Sequence, residues 1–397
     1  MNATVKNISF VSLLILSIPA WSVILTSTPK KQIASASSSA ATNTSYDQGL
    51  IAMEKKQFDL ADKLFKDAAK NEPTSALPWL GLAEIARINK KEAEAEKLVR
   101  KAVEVAPDNP DSQLAMGRLL YAKKNYIDAE ARFLKASTLA PGASAPRLDL
   151  AELYMTALNK PDKAAELFRQ VISQSPDHAG AHFGLGNASF ALKNYPDALL
   201  NLTKASTLAP DNPIPKIALS QVLAASGDYK AAIVSLQDAA KLAPKMADIP
   251  LRMGVLYQQT KHWAEAYTSY ENALRLNDKL ALAYNNLAWM AADRKERLDE
   301  ALRWANKAVE LAPKALAFKD TLAWVKRARG DTSGALELLL AITKSPNASA
   351  EAFYHLALVR ADGGQKPEAL TAFKRVLQID PSYSQAGDVR ARIKQLE

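Results

Sequence analysis

The sequence predicts an all-α fold, a solenoid of about ten antiparallel helix pairs closed by a C-terminal capping helix. Three observations predict it. Helix formers dominate the 397 residues, and only 14 are Gly. Prolines recur at a nearly constant interval, and small residues keep fixed offsets from those prolines.

The N-terminal element, residues 1–31, reads as a signal peptide or an N-terminal membrane anchor. Ile8 to Leu25 carry no charge and follow Lys6, the order that export machinery recognises. Ala20 or the later Ala34-Ser35-Ala36 offers a cleavage site. Uncleaved, these eighteen residues just reach across a bilayer. Lys30 and Lys31 oppose translocation. The chain is therefore expected to be exported, either periplasmic or secreted, or held at the inner membrane by this segment. Residues 32–45, rich in Ser, Ala and Thr, read as a flexible linker.

Residues 46–381 are the repeats. Pro73, Pro107, Pro141, Pro176, Pro210, Pro244, Pro313, Pro346 and Pro381 stand 33 to 35 residues apart, except for one interval of 69. Asp278 divides that interval into 34 and 35, so ten units end at these ten positions. A proline cannot continue a helix, so each mark ends the second helix of its unit. Twelve residues earlier stands Ala61, Ala95, Ala129, Ala164, Ala198, Ala232, Ala266, Ala301 or Ala369. Five residues earlier stands Ala68, Ala102, Ala136, Ala205, Ala239, Ala273, Ala308 or Ala341. Between them a larger apolar residue recurs, such as Phe65, Phe133, Phe168, Tyr270 or Phe373. Small residues let helices approach closely, and the large one fills the space between adjacent pairs. A further small residue marks each first helix, as at Gly49, Ala83, Gly117, Gly186 and Gly254. The two helices meet at a polar or Gly corner followed by an aromatic, as in Lys56-Gln57-Phe58, Lys124-Asn125-Tyr126, Lys193-Asn194-Tyr195 and Gly227-Asp228-Tyr229. Residues 382–397 form the cap, with Ala386, Val389, Ile393 and Leu396 on one face.

This pattern resembles the tetratricopeptide repeat, in which small, aromatic and proline positions recur at these offsets. Leu80-Gly81-Leu82-Ala83, Phe183-Gly184-Leu185-Gly186 and Asn285-Asn286-Leu287-Ala288 are similar to the first helix of that family. The resemblance covers about Thr42 to Pro381 and implies a right-handed superhelix. Val99, Val171 and Val376 depart from it, and the ninth unit is one residue short. Asn285 to Trp289, Asp320 to Trp324 and Tyr354 to Ala357 also resemble the C-terminal repeats of bacterial envelope proteins of this family. Those relatives are associated with exopolysaccharide export and surface-protein sorting. They are often lipoproteins, and this chain has no Cys to carry a lipid.

The resemblance implies that first helices line a concave groove and that a partner protein or peptide lies along it. The groove-facing stripe includes Arg118, Tyr121, Phe183, Asn187, Phe190, Gln221, Asn285, Trp289, Asp320, Trp324, Arg327 and Tyr354. Its aromatics suit a peptide with apolar anchors. The Lys and Asn set with which some relatives clamp a C-terminal carboxylate is missing, since Phe183 stands where Lys would accompany Asn187.

Other classes find little support. The net charge of +9 is dispersed, so a helical-repeat RNA binder is the weaker alternative, beside a cytosolic adaptor. Cys is absent, which excludes disulfides and thiolate chemistry. Of the four His, His178 and His182 stand at the spacing of a metal pair but lack a completing acid or imidazole. Neither a phosphate-binding glycine loop nor a nucleophile motif occurs. No catalytic residue, metal or cofactor is expected, the membrane enters only through residues 1–31, and the oligomeric state stays open.

Overall fold

A computed structural model describes residues 44–397. The leader and all but the end of the linker lie outside the described residues. Those described form twenty-one helices and no strand, in two compact units divided along the chain after Val222. None of these helices is long and apolar enough to cross a membrane. The N-terminal unit holds α1 (Ser45–Glu54), α2 (Phe58–Asn71), α3 (Leu77–Ile88), α4 (Glu92–Val105), α5 (Pro110–Ala122), α6 (Tyr126–Leu139), α7 (Ala145–Thr156), α8 (Pro161–Gln174), α9 (Ala179–Ala191), α10 (Tyr195–Leu208) and most of α11 (Pro213–Ala225). The C-terminal unit continues with α12 (Tyr229–Leu242), α13 (Asp248–Gln259), α14 (Trp263–Leu276), α15 (Ala281–Arg294), α16 (Leu298–Leu311), α17 (Leu316–Ala328), α18 (Thr332–Thr343), α19 (Ala350–Asp362), α20 (Lys366–Ile379) and α21 (Ala386–Leu396). Odd-numbered helices up to α19 open the ten repeats and even-numbered ones close them. The expected all-α repeat fold is the fold observed.

Local chemistry sets the helix ends. The linker reading ran to residue 45, yet Ser45 is already helical. Thr44 Oγ1 accepts the Asp47 N–H at 3.2 Å, and the Asp47 carboxylate accepts the Thr44 N–H at 3.3 Å. That reciprocal cap starts the helix. Each repeat then turns at a residue with positive φ. In order these are Lys56, Lys90, Lys124, Asn159, Lys193, Gly227, Lys261, Lys295, Gly330 and Gly364, and the eighth repeat adds a second, Arg297. At the first corner Lys56 N–H donates to the Met53 carbonyl and Gln57 N–H to the Ala52 carbonyl. This closes the helix in a Schellman arrangement. At the far end of each pair, the residue before proline is forced out of the helical region, as at Glu72, where φ is −127°. Asn277 adopts the same extended form without a proline, because its Oδ1 accepts from Lys279 N–H and makes the turn itself.

The recurring large residue is a wedge. Phe65 is fully buried, and a Cβ added at Gly49 or Gly81 would come within 2.5 or 2.7 Å of its ring. The ring therefore sits between the first helix of its own repeat and that of the next. Phe133 against Gly117, Phe168 against Gly184 and Tyr270 against Gly254 repeat the device. Burying each ring stabilises the stack by roughly 2–3 kcal/mol. Val99, smaller than an aromatic, leaves α4 with Ala102 as its one buried residue.

The carbonyl of a repeat-ending proline points inward and needs a donor. Gln113 Nε2 donates to Pro107 O at 2.6 Å, Arg147 to Pro141 O, and His182 Nε2 lies 2.8 Å from Pro176 O. In these three repeats the donor stands six residues after its proline, while Pro381 O takes Arg390, nine residues on. His182 also bonds Asn201, and His178 Nδ1 caps α9 through Ala181 N–H.

The ninth repeat corrects one expectation. Ala341 is exposed, while Ala335, Leu339 and Ile342 face the core. The cause is length. Helix α18 has 12 residues where the other second helices have 14, and its inward face shifts by one position relative to Pro346. At the C-terminus Ala386 and Val389 of α21 are buried in one cluster with Phe373 and Val376, with Ile393 and Leu396 packed against it.

Candidate partner-binding site

The expected stripe is present within each unit but is shallower than its residue list. Phe183, Asn285, Asp320 and Tyr354 occupy the first stripe position of their helices and are buried. Arg118, Tyr121, Asn187, Phe190 and Gln221 in one unit, and Trp289, Trp324 and Arg327 in the other, keep exposed or half-buried surface. A helix one turn wide on its buried face hides the first position and lifts the next two toward solvent.

In the N-terminal unit the row is polar. Arg118 Nε on α5 donates to Asp149 Oδ2 on α7 at 2.5 Å, with the Arg118 side chain 58 % exposed. Thr156 gives its proton to the Glu152 carbonyl, so the Tyr121 hydroxyl donates to Thr156 Oγ1 at 2.8 Å. Glu152 lies one turn from Asp149 and is half-buried. Burial, then the Asp149 charge, push its pKa up to about 7 against the pull of Arg118. Burial raises Asp149 as well, opposed by Arg118. The three groups together pass from neutral to net negative as Glu152 ionises. Further along, the Phe190 ring meets Tyr195 at 6.1 Å.

In the C-terminal unit the row is aromatic and rests on a buried histidine. Trp324 on α17 stacks on His355 of α19 with ring centroids 4.3 Å apart, and the Arg327 guanidinium lies 4.6 Å from the indole centroid. Arg327 Nε donates to Asp362 Oδ2 at 2.6 Å. His355 is buried, with Nδ1 at 2.8 Å from Asp320 Oδ2 and Nε2 at 3.5 Å from Glu351 Oε1. Burial disfavours its charged form, yet the charge and hydrogen bond of Asp320 outweigh it and the pKa rises. Burial likewise raises Glu351. Trp289 packs half-buried against the cluster of Leu251, Tyr270 and Leu287. Tyr354 points to the cap instead and donates to Asp388 at 2.9 Å.

Asp149, Thr156, His355 and Asp362 were not in the expected stripe. Their signal was the period itself, because Arg118–Asp149, Tyr121–Thr156, Asp320–His355 and Arg327–Asp362 are separated by 31 or 35 residues. Each pair joins one repeat to the next.

Chemically these rows offer neutralised cations, aromatic surface and titratable carboxylates. Among the described residues no group of three His, Cys, Asp or Glu is placed to hold a metal ion. Family models described as tetratricopeptide repeat match residues 46–110, 148–213 and 321–384, with two further such models on 223–292 and 281–314. No curated protein matches the sequence. Among solved structures, the chain is similar to a tetratricopeptide repeat protein from Parabacteroides merdae. The identity is 15%, the match covers 64% of this chain and 98% of that one, and the TM-score is 0.52. It is also similar to a chain of the APC/C hetero-tetramer Cut9–Hcn1, at 18% identity over 89% of this chain and 75% of that one, with a TM-score of 0.50.

Proposed function

Because the chain belongs to the tetratricopeptide repeat family, whose fold is a scaffold for protein–protein interaction, we propose that it binds a partner polypeptide along its first-helix rows. One observation carries this reading. The stripe's cations are already paired inside the units: Arg118 with Asp149 and Arg327 with Asp362, as is Arg87 with Glu84 in the corresponding positions of α3. A phosphate backbone would have to break these pairs to gain contacts, so RNA is poorly served. What remains for a partner is the half-buried surface of Tyr121, Phe190, Trp289 and Trp324, suited to apolar anchors. The role is holding rather than catalysis.

The setting we propose is the cell envelope, with residues 1–31 as export signal or anchor and the partner belonging to assembly or export of exopolysaccharide or surface proteins. The uncharged run from Ile8 to Leu25 and the envelope-type C-terminal repeats support it. Site-specific photo-crosslinking in the native host tests the binding reading. A photoreactive residue at Phe190 or Trp289 should capture one polypeptide, and the same residue at exposed Ile127 or Leu200 should not. Equal capture from all four positions, or none from the first two, overturns it. Fractionation with intact-mass measurement tests the compartment: full-length chain in the cytosol would remove the envelope from this reading.

A further inference from the structure

We propose a second docking site, away from the first-helix rows, that takes a short acidic peptide segment with an apolar centre. It lies against the short closing helix of the ninth repeat. Helix α18 ends at Thr343 two residues early, about 3 Å of missing helix. Beside its end, an open trough of about 500 Å3 runs between α18, α19 and α20.

The trough's floor is apolar, with Leu356 and Ala372 buried and Leu340 and Phe353 half-buried. Its charged lining is Arg360, Lys374 and Arg375, with no carboxylate. Lys374 is paired with Glu397 at 2.7 Å. The two arginines have no ion pair among the described residues. Arg360 reaches the first turn of α20, where one guanidinium nitrogen donates to the Glu368 carbonyl at 3.1 Å. Its Nε is buried with no hydrogen-bond partner, a donor left unmatched at real cost. Arg375 lies near the other end of α20, bonded to Gln378 and over the Phe353 ring at 5.9 Å. A guanidinium stands at each end of an apolar floor. Two carboxylates flanking aliphatic side chains complete that pattern, and guanidinium–carboxylate pairing gives them direction. The trough is open along its length, which suits a polypeptide laid across it better than an acyl chain needing an enclosed sheath.

The probe is the acetylated, amidated peptide Glu-Leu-Ala-Leu-Glu, titrated into the full chain and followed by amide chemical shifts and calorimetry. Binding should perturb residues of α18 and α20. The Gln-for-Glu peptide should bind at least tenfold more weakly, and so should the Glu peptide to Arg375→Gln or Arg360→Gln. Arg375→Glu should lose the Glu peptide and gain a Lys-for-Glu peptide by a similar factor, which separates recognition from misfolding. Trp324→Ala should leave the affinity unchanged, so failure of the first-helix rows as a binding site is distinguishable from failure here. The proposal is overturned if the Gln peptide binds equally well or the Glu peptide does not bind at millimolar concentration. Tighter, Arg375-dependent binding of dodecyl sulfate than of the peptide overturns it in favour of a lipid-like ligand.

Discussion

The two units build the same stripe on the same frame and stabilise it in opposite ways. In the N-terminal unit, the Arg118 guanidinium is exposed and water shares the task of solvating it, beside a largely buried Asp149 and a half-buried Glu152. In the C-terminal unit, His355 and Asp320 are buried, with Trp324 stacked on the imidazole and Glu351 half-buried beside it, and protein groups carry most of the task of balancing the charge. A charged row therefore tolerates the loss of one member where it is wet and does not where it is dry. The corners differ too. All five in the N-terminal unit are Lys or Asn, whereas three of five in the C-terminal unit are Gly.

The largest effect should come from breaking the dry cluster. His355→Leu leaves Asp320 buried and Glu351 half-buried without their cation and should cost about 3–5 kcal/mol. Urea unfolding followed by tryptophan fluorescence reads this well, because Trp263, Trp289, Trp304 and Trp324 lie in that unit. A loss below about 1 kcal/mol would show the cluster to be neutral already. The sign with pH follows from the raised His355 pKa. Its contribution is complete below the unfolded imidazole value near 6.5 and is lost as pH rises through the folded one. The variant should lose that slope.

Next in size is the wet cluster. Glu152 ionises near pH 7 in the fold but near 4.5 when unfolded, so stability drains as pH rises between those values. Glu152→Gln removes the drain. Its advantage over the parent should grow by about 1–2 kcal/mol between pH 5 and pH 8, after allowance for water access. Melting curves at the two pH values check this, and a constant difference would contradict it. Arg118→Met should cost about 1–2 kcal/mol, less than His355→Leu, because water reaches the exposed guanidinium's place but little of Asp149. A cost near that of His355→Leu would erase the distinction between the units.

The smallest effects concern the corners. Gly364→Ala puts a side chain where φ is 74° and should cost about 1 kcal/mol. Lys124→Gly relieves the same strain at φ 61° and should gain a few tenths of a kcal/mol, offset in part by unfolded-chain entropy. Thermal midpoints of the two variants should therefore move in opposite directions.

Much of the fold was legible because its determinants are local and periodic. Pro107, Gly117 and Phe133 each announce a backbone or packing need that few other residues meet. Ala341 misled because the ninth unit carries both a shortened helix and a shifted face, and a count of offsets sees only the one-residue deficit. The stripe was legible as a direction but not as a depth. Spacing places Phe183 and Asn187 on one face and does not say that the phenyl ring sinks while the amide stays up. The ion pairs were legible only as a period, for a different reason. Each depends on which residue of the next repeat lies alongside, a matter of stacking rather than of helix geometry.

The wedge rings carry one more consequence. Phe65 needs Gly81 as much as Gly49, so no repeat closes its own interior. The true folding module is a helix pair together with the opening helix of its successor. Chain can be added or removed in whole periods without exposing a ring, and a cut between the two helices of a pair exposes none. A cut just after a closing helix strips the cover from one. At the C-terminus α21 supplies that cover for Phe373 and Val376, so the shortest independent fragments of this protein should end on an odd-numbered helix.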